Sequence, residues 1–128
     1  MLPSDLDDFF HHYLICALWS SIADPEGTPM DDEHDSDDIP EQVQSSMKAE
    51  CLDFIMGNLG DLADITPEQA GHDFWLTRNG HGAGFWDRGL GAVGRRLTDA
   101  CKPYGGCDLY IGDDGKVYAS GHESKSPA

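Results

Sequence analysis

The stretch from Asp24 to Glu41 constrains this chain most, because it holds nine acidic side chains and no Lys or Arg. Three prolines and a glycine interrupt it further. Like charges repel one another at this density, which disfavours a packed arrangement. We therefore predict that residues 22–39 form a long acidic loop, extended or mobile, and that the core is built from the segments on either side.

The excess of acidic over basic residues is confined to the first half of the chain. Residues 1–68 carry 17 acids against one base, residues 69–128 carry 7 acids and 7 bases, and the formal net charge is -16. Such a charge repels DNA, RNA and anionic membranes, and it attracts basic surfaces, including those of proteins that hold nucleic acid. The simpler interpretation is a solvated acidic face that has no partner.

Length and cysteine usage set the broad class. A chain of 128 residues is enough for one domain, which we place at 1–121 with a polar tail at 122–128. The four cysteines form no Cys-x-x-Cys pair, the N-terminus lacks the basic residues of a secretion signal, and no apolar run approaches ~18 residues. These features predict an intracellular, non-membrane protein with reduced, mostly buried thiols. A Cys101–Cys107 disulfide is the alternative.

Helical periodicity dominates the remaining segments. Apolar residues recur at helical spacing over 4–20, from Pro40 to about 57–60, and over 90–102. A further helix begins at Thr66-Pro67-Glu68-Gln69, which supplies a cap, a proline at the first helical position and a capping-box glutamine. It should end at Arg78, before Asn79-Gly80. A strand over 73–77 is the competing interpretation.

The C-terminal part carries the clearest strand signal. Residues 108–111 and 116–119 are two short strand-like segments on either side of a turn that contains Gly112 and Gly115. This pattern predicts a β-hairpin. The predicted fold class is therefore α+β, with a small bundle of three to four helices and a C-terminal antiparallel hairpin.

Residues 72–88 form the densest group of polar and aromatic side chains, with two aromatic pairs around a glycine-rich loop. The candidate ligand-binding residues are His72, Asp73, Trp75, Arg78, Asn79, His81, Trp86, Asp87 and Arg88. The structural interpretation is favoured: the aromatic rings anchor the core, the glycines turn the chain, and Asp87–Arg88 or Asp73–Arg78 form local ion pairs.

Two other interpretations of this stretch stay open. In one, glycine amides and an arginine hold an anion against the aromatic rings, although the spacing matches no phosphate-binding motif. In the other, His72, His81, Asp73 and Asp87 bind a metal, although a standard zinc site uses tighter spacing. The acidic loop also fails as a calcium loop, because its required Gly and Glu positions hold Ser36 and Gln42. We predict no catalytic residue, no metal and no cofactor.

Several segments resemble a group of small acidic proteins encoded by tailed bacteriophages and prophages. They are Ala17-Leu-Trp-Ser-Ser21, Cys51-x-x-Phe54, the stretch Ala-Gly-His-Asp-Phe-Trp-Leu-Thr-Arg-Asn-Gly-His-Gly-Ala-Gly-Phe-Trp-Asp-Arg-Gly over 70–89, and Asp-Leu-Tyr-Ile-Gly-Asp-Asp-Gly-Lys over 108–116. The resemblance covers most of the chain. It implies an accessory protein acting on a host component in the host cytoplasm, and it implies no shared catalytic residue.

The expected function combines the resemblance with the charge. A non-enzymatic accessory protein would bind a basic surface of a host protein, as a nucleic-acid mimic of the anti-restriction or anti-CRISPR type. The partner-binding residues would be Asp31, Asp32, Glu33, Asp35, Asp37 and Asp38. The alternatives are a ligand- or metal-binding domain centred on 72–88, conceivably an enzyme, and a virion or assembly component that forms homo-oligomers.

Overall fold

Four α-helices and one β-hairpin form the fold in the computed structural model, which describes residues 1–80 and 84–120. The helices are α1 (Leu6–Ser20), α2 (Glu41–Gly57), α3 (Pro67–Arg78) and α4 (Ala92–Cys101), and the strands are β1 (Asp108–Ile111) and β2 (Val117–Ser120). The predicted α+β class is confirmed, and residues 73–77 are helical. The expected polar tail at 122–128 lies outside the described residues.

Helix α3 begins at the residue that its start signal indicates. The Thr66 hydroxyl accepts a hydrogen bond from the backbone N–H of Gln69 at 3.2 Å, and Pro67 occupies the first helical position. The capping-box part of the prediction is wrong: the Gln69 side chain does not accept the Thr66 N–H, and its amide donates to Asp73 Oδ1 at 2.9 Å. The helix ends as expected before Gly80, whose φ of 69° suits glycine.

Aromatic side chains from three helices form the centre of the core. Phe9 of α1, Phe54 of α2 and Phe74 of α3 are fully buried, and the rings of Phe54 and Phe74 stack with centroids 4.3 Å apart. The rings of Phe74 and Tyr104, which precedes the hairpin in the sequence, are nearly perpendicular, with centroids 5.2 Å apart. Aromatic pairs in such geometry add to the free energy gained by burial of their area.

The hairpin lays one face on this core. Leu109 pairs with Ala119 across the two strands, and Val117 pairs with Ile111. Leu109, Val117 and Ala119 are buried, whereas Tyr110 is half exposed on the opposite face. Side chains alternate between the faces of a strand, so a hairpin of this length covers the helices with one face only.

The acidic segment (residues 24–41) is folded, in contrast to the predicted extended loop. An antiparallel bridge joins Ile22 to Pro29, and the Met30 N–H donates to the Ser21 carbonyl at 2.9 Å. Two single turns of 3₁₀-helix follow at Met30–Asp32 and Ser36–Asp38. The repulsion between the acids is overcome because the segment carries its own apolar anchors, described below.

Helices α1 and α3 cross closely at Gly71. A Cβ atom at this position would lie 2.0 Å from the Phe9 carbonyl oxygen, a distance that no real Cβ contact reaches. The absence of a side chain at Gly71 therefore sets the spacing of the two helices, and with it the packing of the aromatic core.

We expect Gly71→Ala to destabilise the protein by about 1–3 kcal/mol, because the added methyl must push the two helices apart. Gly57→Ala is the matched control: it lies in α2, and the surroundings leave open space within 4 Å of the position that its Cβ would take. It should gain up to ~1 kcal/mol from helix propensity. Urea unfolding measures both. Equal stability of Gly71→Ala and the natural chain would contradict this packing.

Candidate functional site

Two buried apolar residues hold the acidic segment on the helices. Met30 is fully buried and Ile39 is 2% exposed, so the stretch between them is fixed at both ends. The amide of Gln44 on α2 adds a clamp, because it donates to the Ser36 carbonyl at 2.8 Å and to the Ile39 carbonyl at 3.0 Å. Burial of each side chain favours this arrangement by roughly 1.5–3 kcal/mol, which offsets the local charge repulsion.

Two of the acids serve the segment's own conformation. Asp35 Oδ1 accepts from the Asp37 N–H at 2.9 Å, and this caps the second 3₁₀ turn. Asp38 Oδ2 accepts from the Asp35 N–H at 3.2 Å and lies 3.1 Å from His34 Nδ1. Both carboxylates therefore shape the loop as well as contributing charge.

The other predicted partner-binding acids point to solvent. Asp31, Asp32, Glu33 and Asp37 are exposed, and they extend from a backbone whose ends are buried. Dense carboxylates on a fixed surface make a local negative potential that a mobile chain of the same composition would spread out.

Cations of the chain form their ion pairs outside the acidic segment. These pairs join Lys48 to Asp7, Arg78 to Glu50, Arg88 to Asp73, Arg96 to Asp61, and Lys102 to Asp99. Within residues 1–80 and 84–120, no Lys or Arg forms an ion pair with a carboxylate of the acidic segment; its one contact of this kind is His34–Asp38. The segment's negative charge is thus left for an external partner or for solvent cations.

Arg78 occupies the centre of the core. Its side chain is fully buried, with Nη1 donating to Tyr13 Oη at 3.0 Å and to Glu50 Oε1 at 2.8 Å. Nε and Nη2 donate to the carbonyls of Gly105 and Tyr104, both at 2.9 Å. Burial acts to lower the pKa of Arg78, but the interactions with Tyr13 and Glu50 outweigh it and raise the pKa above the ordinary value.

Asp73 forms the second internal ion pair. It is 1% exposed, and Arg88 donates to it in a bidentate arrangement, with Nη2 at 2.8 Å from Oδ1 and Nε at 3.1 Å from Oδ2. The hydrogen bonds that Arg88 donates to Asp73 raise the pKa of Arg88. The predicted local pairs Asp73–Arg78 and Asp87–Arg88 are wrong, because Arg78 turns inward to Glu50 and Arg88 reaches back across 15 residues.

Asn79 and Trp75 tie α3 to the segments around it. Asn79 Oδ1 accepts from the Cys107 N–H at 2.8 Å, while its amide donates to the Trp75 carbonyl at 2.9 Å. The buried Trp75 donates from Nε1 to Ser20 Oγ at 2.8 Å. These side chains have internal roles that leave little capacity for a ligand.

The remaining candidates of the 72–88 stretch that the structure describes do not converge on one point. His72 is half-buried with Nδ1 3.5 Å from Asp73 Oδ1, whereas Trp86 and Asp87 are exposed on a 3₁₀ turn. His81 lies outside the described residues. Among the residues that are described, no group of three or more His, Cys, Asp and Glu side chains has the arrangement to hold a metal ion.

All four cysteines are buried thiols. Burial raises the pKa of Cys16 and of Cys101 to about 12, and it raises the pKa of Cys51 well above the ordinary value. A thiol with such a pKa stays protonated at neutral pH and is a poor nucleophile. Cys101 and Cys107 do not form the disulfide that the sequence left open as an alternative.

The sequence analysis did not predict the exposed apolar surface on α1. Ile15 and Trp19 on α1 are 47% and 61% exposed, although both are apolar. The sequence does indicate this surface, because Ile15 and Trp19 fall outside the apolar stripe that Phe9, Tyr13 and the other core residues form on the same helix. Single exposed apolar residues are common, but exposed apolar residues that lie next to one another form a patch of the kind that marks interaction sites.

Comparison of this chain with known families, proteins and structures identifies no relative. No family model, no curated protein and no solved structure matches this chain. In the part of the chain that the structure describes, no helix is long and apolar enough to cross a membrane.

Loss of Arg78 should be strongly destabilising. We expect Arg78→Met to cost about 3–5 kcal/mol, because it leaves the Glu50 carboxylate buried without its cation. The double variant Arg78→Met/Glu50→Met should recover a substantial part of that loss, since no buried charge remains. Urea unfolding of the single and double variants measures this. A double variant no more stable than Arg78→Met would contradict the proposed pairing.

Stability should fall in alkaline solution. Burial raises the pKa of Tyr13 and of the three thiols, so the folded chain keeps these protons to a higher pH than the unfolded chain. The stabilisation is complete below pH ~9 and is lost as the pH rises toward 12, with a slope of up to about 1.4 kcal/mol per pH unit for each group. Urea midpoints between pH 8 and 11 measure it, and a flat profile would contradict the burial of these groups.

Proposed function

We propose that this protein is a non-enzymatic accessory protein whose acidic segment binds a basic surface of another protein, of the kind that holds nucleic acid. The proposal rests on one observation: the acidic segment is anchored to the core, and Lys or Arg side chains of the described residues do not neutralise its charge. Met30 and Ile39 fix its ends, and its exposed carboxylates have no Lys or Arg ion pair among the described residues.

The physical basis is competition for a basic groove. Double-stranded DNA presents about one negative charge per 1.7 Å of its axis, and the groove of a DNA-binding protein is lined with Lys and Arg to match it. Carboxylates held close together on a folded loop offer a similar charge without the nucleic acid. An anchored loop also loses less conformational entropy on binding than a free one.

The resemblance to phage and prophage proteins gives the proposal its biological setting. We propose a protein encoded by a phage that acts in the host cytoplasm on a host defence protein, in the manner of anti-restriction or anti-CRISPR inhibitors. Direct binding to nucleic acid or to an anionic membrane is not part of the proposal, because a net charge of -16 opposes both.

The 72–88 stretch does not support a competing function as well. Arg78, Asp73 and Asn79, which would supply its charges and hydrogen bonds to a ligand, are bound to other groups inside the fold. A buried group whose hydrogen bonds are already satisfied gains little by turning to a ligand.

A capture experiment with charge variants tests the proposal. The chain is immobilised and exposed to bacterial lysate at low salt, and a retained protein is purified for titration. The variant Asp31→Asn/Asp32→Asn/Glu33→Gln/Asp37→Asn should bind roughly fourfold to several hundredfold more weakly, because exposed ion pairs contribute ~0.2–1 kcal/mol each and 1.4 kcal/mol is tenfold. Asp35 and Asp38 are kept, since they shape the loop.

The matched control neutralises the same number and types of exposed acids elsewhere, with Asp8→Asn, Asp64→Asn, Asp113→Asn and Glu68→Gln. It should bind nearly as well as the natural chain, and double-stranded DNA should displace the natural chain from the captured protein. The proposal fails where no nucleic-acid-binding protein is retained at low salt, or where both variants lose binding equally.

A further inference from the structure

An apolar row on α1 runs beside the acidic segment. Ile15 and Trp19 are 47% and 61% exposed, and their spacing of four residues puts them on one side of the helix, about 6 Å apart along its axis. Ile22, which is 55% exposed, follows beyond the end of the helix, after the extended Ser21. Trp is among the residues that contribute most to binding when a partner covers them.

A groove lies between this row and the acidic segment. It has a volume of about 260 Å³ and is lined on the helix side by His11, Leu14, Ile15 and Leu18, and on the other side by Asp31, His34, Asp35 and Ser36. Small-molecule sites usually enclose roughly 300–1,000 Å³. A groove of this size, with an apolar floor and an acidic wall, suits a side chain of a partner better than a separate ligand.

We propose that this surface, defined as Ile15, Trp19, Ile22 and the adjoining groove, docks a basic amphipathic helix of the partner protein. The inference rests on the proposed function and specifies which part of the partner is recognised. The partner's apolar side chains cover the row and enter the groove, and its Lys and Arg side chains reach Asp31 and Asp35.

Charge complementarity selects this occupant. The wall of the groove carries Asp31 and Asp35, whose charge no Lys or Arg of the described residues pairs with. A second copy of the chain would bring the same two carboxylates and a further -16 of charge to the interface. A basic amphipathic helix instead matches both parts of the surface. Its apolar residues at i, i+4 and i+7 cover the row, and its Lys and Arg side chains face the acidic wall.

Two synthetic peptides of identical composition test the inference. One is a 14-residue Lys/Leu peptide with its leucines at helical spacing, and the other is its scrambled isomer, which has the same charge but no apolar face. The natural chain should bind the amphipathic peptide at least about tenfold more tightly than the isomer. The tryptophan fluorescence, read in a Trp86→Phe background that keeps Trp19 and the buried Trp75, should shift to shorter wavelength as the peptide covers the exposed Trp19 indole.

Two double variants locate the binding surface. Ile15→Ser/Trp19→Ser should remove the preference for the amphipathic peptide. Leu52→Ser/Met56→Ser is the matched control, because these residues are also an exposed apolar pair four residues apart, on α2. It should keep the preference. Urea midpoints of all variants establish that each one is folded, as expected for changes at exposed positions.

The other outcomes separate this inference from the proposed function. Equal binding of both peptides, lost only on neutralising Asp31, Asp32, Glu33 and Asp37, would overturn the docking surface and leave the acidic segment as the binding site. Light scattering that shows self-association abolished by Ile15→Ser/Trp19→Ser would assign the surface to a second copy and also overturn the inference. Failure of both peptides to bind would overturn it as well, while the lysate experiment decides the proposed function independently.

Discussion

The buried guanidinium of Arg78 is the contact on which the arrangement of the helices depends. It joins Tyr13 of α1, Glu50 of α2 and the carbonyls of Tyr104 and Gly105 through donor groups held in one plane. A buried ion pair adds little net stability, because desolvation of both charges opposes the attraction between them. It does penalise any packing that separates them, so its effect is to select one placement of α1 and α2. Those are the two helices between which the acidic segment is held.

The fold brings the acidic and the neutral halves of the sequence into contact through ion pairs. Bases of the neutral half cross over to acids of the acidic half, as in Arg78–Glu50 and Arg96–Asp61. The acids that remain without such partners include those of the segment between Met30 and Ile39. Charge is therefore balanced at these two contacts, while the acidic segment, like several other exposed acids, has no Lys or Arg ion pair among the described residues. What distinguishes the segment is that its acids are dense and lie next to the exposed apolar row of α1. A surface that combines both properties fits a basic, partly apolar partner better than a purely ionic one.

Local signals in the sequence predicted the local structure. The start of α3 at Thr66 and the hairpin at 108–120 follow from hydrogen bonds and turn residues only a few positions apart. The folded state of the acidic segment could not be predicted in this way, because it depends on two single apolar residues, Met30 and Ile39, that are buried in the common core. The same holds for the ion pairs of Asp73 and Arg78, whose partners lie 15 and 28 residues away. Charge patterning indicates that such residues need partners, but it does not say which.

The most direct test of the central claim is a measurement of backbone motion in the acidic segment. Amide ¹⁵N relaxation gives an order parameter for each residue on the picosecond to nanosecond timescale. If Met30, Ile39 and the Gln44 clamp hold the segment, the amides from 31 to 38 should show order parameters near 0.85, about the value of rigid backbone such as α1 and α2. Values below about 0.6 across that stretch, with rigid helices on either side, would mean that the carboxylates are carried on a free chain and would contradict the anchored acidic surface.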